Sequence, residues 1–259
     1  MKRNRAILIT AIVSLFFGVF FLMPVSDVLK QAFVDEGGEF SMAYLWVVFT
    51  NPIYLEGLWN AFALGVMSTI VTFFIALPLA LVSHRWTFPG KKWLTILILA
   101  PLVLPPFVGA VGVRQILGAE GSLNSFLTNL GMMSPTDPTD WLGEWKFWGV
   151  VLMNALHLYP ILYMNILAAL GNLDPAMEQA AQNLGASPWT RFKRITLPLC
   201  MPGIFAGAAI VFIWSFTELG VPLVFDYNRV ASVQIYDGIK DLGSNPIPYA
   251  LVAVMLTIS

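Results

Sequence analysis

Hydrophobic positions run through this chain in long blocks, not in short alternating patches. Five apolar stretches, approximately 6–26, 59–83, 93–113, 148–170 and 203–222, are each long enough to cross a lipid bilayer as a helix. A sixth begins near Ile247 and reaches Ser259, about 13 residues, which is too short to span at about 1.5 Å per residue. The pattern predicts an all-α, polytopic membrane bundle of about six helices, the last of them truncated, in a single domain over 1–259. The stop inside an apolar run suggests a fragment, or the first half of a longer chain. The first stretch follows Lys2, Arg3 and Arg5. At roughly 20 residues it exceeds the h-region of a secretory signal and has no small-residue cleavage site after it, so it reads as a retained helix.

Between the fourth and fifth stretches lies a polar island, 171–202. It includes "EQAAQNLGASPWTRFKRITLPLCMP" (residues 178–202). Asn172 or Asp174 is placed to cap a helix with Pro175 in its first turn. Met177, Ala180, Ala181 and Leu184 then share one face at spacings of three and four. Gly185 suits a left-handed helix end, and Ser187-Pro188 suits the start of a second helix. In that second helix Trp189, Phe192 and Ile195 repeat at a spacing of three, and Arg191, Lys193 and Arg194 lie toward its end, with Pro198 and Pro202 expected to stop it. On physical grounds the segment fits two roles equally: docking on a partner's groove, or lying at the lipid surface as an amphipathic helix.

Composition agrees with a bilayer. The chain is 58% hydrophobic and 11% charged, with mean hydropathy +0.75, against about 45–50% and about 25% in soluble domains. A net charge of -1 gives no footing for nucleic acid. A lone Cys200 allows neither an intrachain disulfide nor a Cys-based metal centre, and His84 and His157 lie in no metal-binding motif. We expect no cofactor and no metal site.

The basic residues also orient the chain. With the N-terminus inside, segments 1–5, 84–92 and 171–202 carry Lys2, Arg3, Arg5, Arg85, Lys91, Lys92, Arg191, Lys193 and Arg194, and the outer segments carry Lys30, Arg114, Lys146, Arg229 and Lys240. This is the positive-inside distribution. Most acids, such as Asp35, Glu36, Glu39, Asp137 and Asp140, fall outside. Trp46, Trp59, Trp141, Trp145 and Trp148 suit an interfacial belt. Dense glycine and proline, including a G-x-x-x-G at Gly203 and Gly207, suit close helix packing.

The spacing within the island resembles the coupling-loop signature of permease subunits of binding-protein-dependent ABC importers: E-A-A, three residues, G, nine residues, I, one residue, L-P. Here Gln179-Ala180-Ala181 is followed by Gly185, Ile195 and Leu197-Pro198 at the same intervals. The first position holds Gln179, with Glu178 just before it. The resemblance implies a MetI-like fold in a bacterial inner membrane and no enzymatic activity in this chain. Its implied partners are two copies of a cytoplasmic ATP-binding subunit, an extracytoplasmic substrate-binding protein, and a second permease half or a second copy. It implies that Glu178, Gln179, Ala180, Ala181, Leu184 and Gly185 make the coupling contacts, and that Ile195, Leu197 and Pro198 set the return to the membrane.

No G-x-x-x-x-G-K-[ST] phosphate loop occurs, so ATP hydrolysis is expected elsewhere. Glu218, placed by hydropathy at the outer part of the fifth stretch, is a candidate for the translocation path, since carboxylates in spans face cavities or partners. Asn154 and His157 in the fourth stretch are weaker candidates, equally suited to packing. "SFTELGVPLVF" looks like the matching span of the iron(III), thiamine, polyamine and phosphonate branch, and iron(III) is the favoured substrate. A membrane-embedded enzyme or a channel would leave the loop spacing unexplained.

Overall fold

The computed structural model describes residues 2–34, 37–134, 136–143, 145–240 and 245–259. The side chains of Lys2, Arg3 and Arg5, and Asp35 and Glu36 entirely, lie outside the described set. The chain is helical from end to end: α1 (Lys2–Phe17), α2 (Met23–Phe33), α3 (Ala43–Thr50), α4 (Pro52–Arg85), α5 (Lys91–Leu99), α6 (Pro106–Leu117), α7 (Ser122–Asn129), α8 (Lys146–Gly171), α9 (Pro175–Asn183), α10 (Pro188–Arg191), α11 (Leu197–Phe216), α12 (Gly220–Val224), α13 (Ala231–Lys240) and α14 (Ile247–Ile258). Among the described residues, four helical stretches are long and apolar enough to cross a membrane: Ala6–Phe33, Pro52–Arg85, Lys146–Gly171 and Pro188–Phe216. They become five if the bent pair Lys91–Val103 and Pro106–Asn129 is one span.

That pair divides the third span expected over 93–113 into two helices. Its halves meet at 91°. A residue that precedes proline is pushed out of the helical region. Leu104 precedes Pro105, and Pro105 precedes Pro106. Both are extended, with ψ of 133° and 140°. Hydropathy cannot register the bend, because both halves are apolar.

The described chain forms two compact units, 1–60 with 229–259 and 61–228. In the first, α14 packs against α2, α3 and α13, burying Ala250 and Leu251 completely. The short sixth apolar stretch is therefore core material of this unit. Arg229 ties the unit's two chain segments together, pairing with Glu56 at 3.2 Å while its carbonyl accepts from Asn60 at 2.7 Å.

In the second unit the main packing is α8 against α11. Its core is Ala76, Ala80, Ile98, Leu158, Leu162, Tyr163, Ile166, Leu170, Cys200, Ile204 and Val211. The G-x-x-x-G stripe sits at this contact. A methyl placed on Gly203 would stand 2.7 Å from the Ala169 Cβ and 3.1 Å from the Asn165 carbonyl oxygen. One on Gly207 would stand 2.8 Å from Leu162 and 2.9 Å from the Asn165 Cβ. Two bare positions thus let the helices touch backbone to side chain, which is how packing holds helices together where lipid removes most of the hydrophobic drive.

Candidate functional site: the segment between α8 and α11

The order of events along 171–202 follows from local chemistry. Asp174 accepts a hydrogen bond from the Ala176 amide at 2.9 Å, and Pro175 occupies the first turn of α9, so the helix starts where its free amides are satisfied. The helix closes on Gly185, whose φ is +82°. The Ala186 amide reaches back to the Ala181 carbonyl at 3.0 Å, and the Gly185 amide reaches the Gln182 carbonyl at 2.9 Å. This is the paired closure of a Schellman turn, which glycine adopts at least cost. Ser187 then accepts from the Thr190 amide at 3.2 Å and starts α10.

The second arm departs from expectation. Pro198 and Pro202 do not stop it. The helix runs without a break from Pro188 to Phe216. A π-helical turn over Phe192–Thr196 precedes the prolines, and the Leu197 amide donates to the Phe192 carbonyl. One widened turn shifts the hydrogen-bonding register just before Pro198, which sits where no amide is required of it.

The island has a held side and a free side. On the held side, one carboxylate oxygen of Glu178 accepts from the Thr196 hydroxyl and faces Arg85 at 3.5 Å. Arg191 donates to Gln182 at 2.8 Å, joining the two arms. On the free side, Gln179, Ala180 and Gly185 are exposed, and Leu184 is 88% exposed. Met177 is half exposed, so within this chain the expected apolar face is largely uncovered. Ala181, Ile195 and Leu197 are half-buried and Pro198 is exposed at the root of α11.

Of the candidates for the path, Asn154 and His157 lie in α8 as expected, and Glu218 does not lie where hydropathy placed it. Helix α11 ends at Phe216, so Glu218 lies beyond the span and not within it. Its carboxylate accepts from the Gly220 and Val221 amides at 2.9 and 3.2 Å, which starts α12. A glutamate two residues before a run of free amides was the sequence signal for this cap. His157 lines an apolar cavity of about 310 Å³ with Pro101, Leu104, Pro105 and Met153. One turn earlier, Asn154 is 2% exposed and its amide nitrogen has no protein partner.

A second charged site escaped sequence reasoning. Arg114, in the last turn of α6, donates to the Val224 carbonyl at 2.5 Å and to Asp226 at 2.6 Å. Asp226 holds a φ of +53°. With Glu120, Asp140 and Lys146 they line a cavity of about 690 Å³. Nearby, Asn124 donates to the Ala119 and Thr139 carbonyls at 2.8 and 2.7 Å and accepts from the Trp141 indole at 2.7 Å. Trp141 is thus fixed to a protein partner. No local spacing links Arg114 to Asp226, since they are 112 residues apart.

Residues 5–259 match the family described as binding-protein-dependent transport system inner membrane component. The chain belongs to this family. The permease is a multi-pass membrane component of a transport system and not an enzyme. It is 33% identical over 198 residues to a ferric transport system permease protein (FbpB 1, described as putative) of Haemophilus influenzae, covering 76% of this chain and 29% of that one. It is 34% identical over 184 residues to the molybdenum transport system permease protein ModB of the same organism, covering 68% of this chain and 75% of that one. The permease therefore spans under a third of the ferric relative's length and three quarters of the molybdenum one's. In fold it matches the crystal structure of a bacterial alginate ABC transporter in complex with an alginate pentasaccharide-bound periplasmic protein, with a TM-score of 0.73 at 22% identity, covering 99% of this chain and 92% of that one.

Proposed function

We propose that the permease forms part of an ATP-driven import pathway, and that segment 171–202 seats its free side in a cytoplasmic ATPase subunit. The carrying observation is the two-sidedness of the island: Leu184 stands exposed at the tip of a glycine-closed turn while Glu178 is bound to the bundle behind it. A rigid element with an uncovered apolar tip is the form of a short helix that docks in a groove. The Trp189 ring, 5.6 Å from that of Phe192 between centroids, is also exposed and would extend the surface offered to the partner. The proposed orientation places the N-terminus and this segment in the cytoplasm, in line with nine of fourteen basic residues on that side. A periplasmic binding protein would deliver substrate, and a second permease half or a second copy would complete the pathway.

For substrate, iron(III) is the reading supported by the ferric relative. Molybdate is the second, favoured by the larger share of ModB that the chain covers. The path is proposed to pass the α8 face bearing Asn154 and His157, with Glu218 close by.

The test has three parts. Leu184→Cys, which adds an exposed thiol to a chain whose own Cys200 is buried, should react with an impermeant maleimide only after the inner face is opened. Reaction in intact cells would overturn the orientation. Leu184→Asp should abolish co-purification of the co-expressed ATPase; undiminished co-purification would remove the docking reading. Uptake of labelled iron(III), molybdate and a polyamine by the assembled transporter then separates the substrates. In the same assay Asn154→Leu should reduce uptake by about tenfold or more without loss of protein, since it removes a buried polar group from the proposed path. Unchanged uptake would exclude Asn154 from it.

A further inference from the structure

We propose that Glu178 is a positioning residue for energy coupling. It locks the docking segment to two separate spans at one carboxylate oxygen, so that the segment and the spans move as one body. The inference rests on the docking reading above and assigns the means by which a push on the segment would reach the bundle.

The geometry is specific. Glu178 lies in the first turn of α9 and is partly buried, where the following Gln179 and Ala180 are exposed. Its Oε1 is shared by two donors from elsewhere in the chain. Thr196 belongs to the π-helical turn at the root of α11 and is 2% exposed. Arg85 is the last residue of α4, 93 positions away in sequence. The two contacts are unequal. The Arg85 pair is long and its side chains are about one-third exposed, which makes it a weak link in water. The bond from a buried hydroxyl to a carboxylate is charge-assisted and shielded, so Thr196 carries most of the attachment and Arg85 sets its direction.

The π turn has a part in this. A widened turn rotates the residues that follow it relative to an unbroken α-helix, and such turns recur at functional sites. Here it both accommodates Pro198 and presents Thr196 to α9. α9 also packs on α10 and on the π turn, and the Arg191–Gln182 bond links the two arms; the Glu178 contacts add a tie to the end of α4.

The experiment uses the full chain assembled with its ATPase in proteoliposomes, comparing wild type with Glu178→Ala, Glu178→Gln, Thr196→Val and the Glu178→Ala/Thr196→Val pair. The ATPase retained by each variant is measured first, and transport is scored per ATP hydrolysed by the bound subunit. Substrate moved per ATP should fall about tenfold in Glu178→Ala and in Thr196→Val, the scale of ordinary coupling between sites. The double variant should be no worse than either alone, and Glu178→Gln should keep most of the coupling, since its carbonyl can still accept from Thr196. Additive losses, or an unchanged ratio, would overturn the proposal. A readout independent of the ATPase uses spin labels at the exposed positions 184 and 86 in the isolated permease. Their distance distribution should be narrow in wild type and broad in Glu178→Ala. A distribution that stays narrow would overturn the locking role even if docking holds. Wild-type protein that fails to retain the ATPase would defeat the docking reading, and this inference with it.

Discussion

Leucine at Gly203 should leave little folded permease to purify. The new side chain would begin 2.7 Å from the Ala169 Cβ and 3.1 Å from a carbonyl oxygen, where the obstacle is backbone and cannot rotate away. Overpacking of a tight core costs about 1–3 kcal/mol even where neighbours adjust. Here the α8–α11 contact that anchors the larger core has to open. Gly207→Ala offers the graded comparison. Its nearest obstacles are the end of the Leu162 side chain at 2.8 Å, which can change rotamer, and the Asn165 Cβ at 2.9 Å, which cannot, but the added group is a single methyl. Thermal unfolding in detergent, followed by size-exclusion profile, should show Gly203→Leu aggregated or melting far below wild type, with Gly207→Ala between them. A wild-type melting profile for Gly203→Leu would mean that α8 and α11 do not pack as described.

The second large effect concerns Gly185 and leaves the fold intact. No atom lies within 4 Å of a side chain added there, so volume is not at issue. The backbone is, because φ is +82°. A left-handed conformation costs an ordinary residue roughly 1–2 kcal/mol and a β-branched one more. Uptake by the assembled transporter should therefore fall in order of left-handed tolerance. Gly185→Asn should keep most activity, Gly185→Ala should lose several-fold, and Gly185→Val should lose about tenfold or more, each at normal expression. Equal activity in all three would show that the shape of the turn does not matter.

The sequence made local structure legible and left distant contacts hidden. The caps at Asp174 and Ser187 and the closure at Gly185 were readable because each involves residues at most five apart. The held side of Glu178 was not readable, since Thr196 and Arg85 are 18 and 93 residues away. Proline misled in both directions. Pro105 and Pro106 break an apolar stretch that hydropathy read as one span. Pro198 and Pro202, taken as stops, are absorbed by a widened turn and by the interior of α11. Glu218 was misplaced for a related reason: apolarity continues through Gly220–Val224 after the helix has ended at Phe216, so a window average sees one segment where the backbone makes two. The Arg114–Asp226 contact needed the folded chain, since neither residue stands in a recognisable motif.

The unbroken rod from Pro188 to Phe216 has a mechanical consequence. Its 29 residues extend roughly 40 Å at helical rise. The π turn and Pro202 lie near the Trp189 end, so bending concentrates there and the stretch from Gly203 to Phe216 carries a tilt as one piece. If the segment docks as proposed, a push at the Trp189 end would reach Phe216 through that piece.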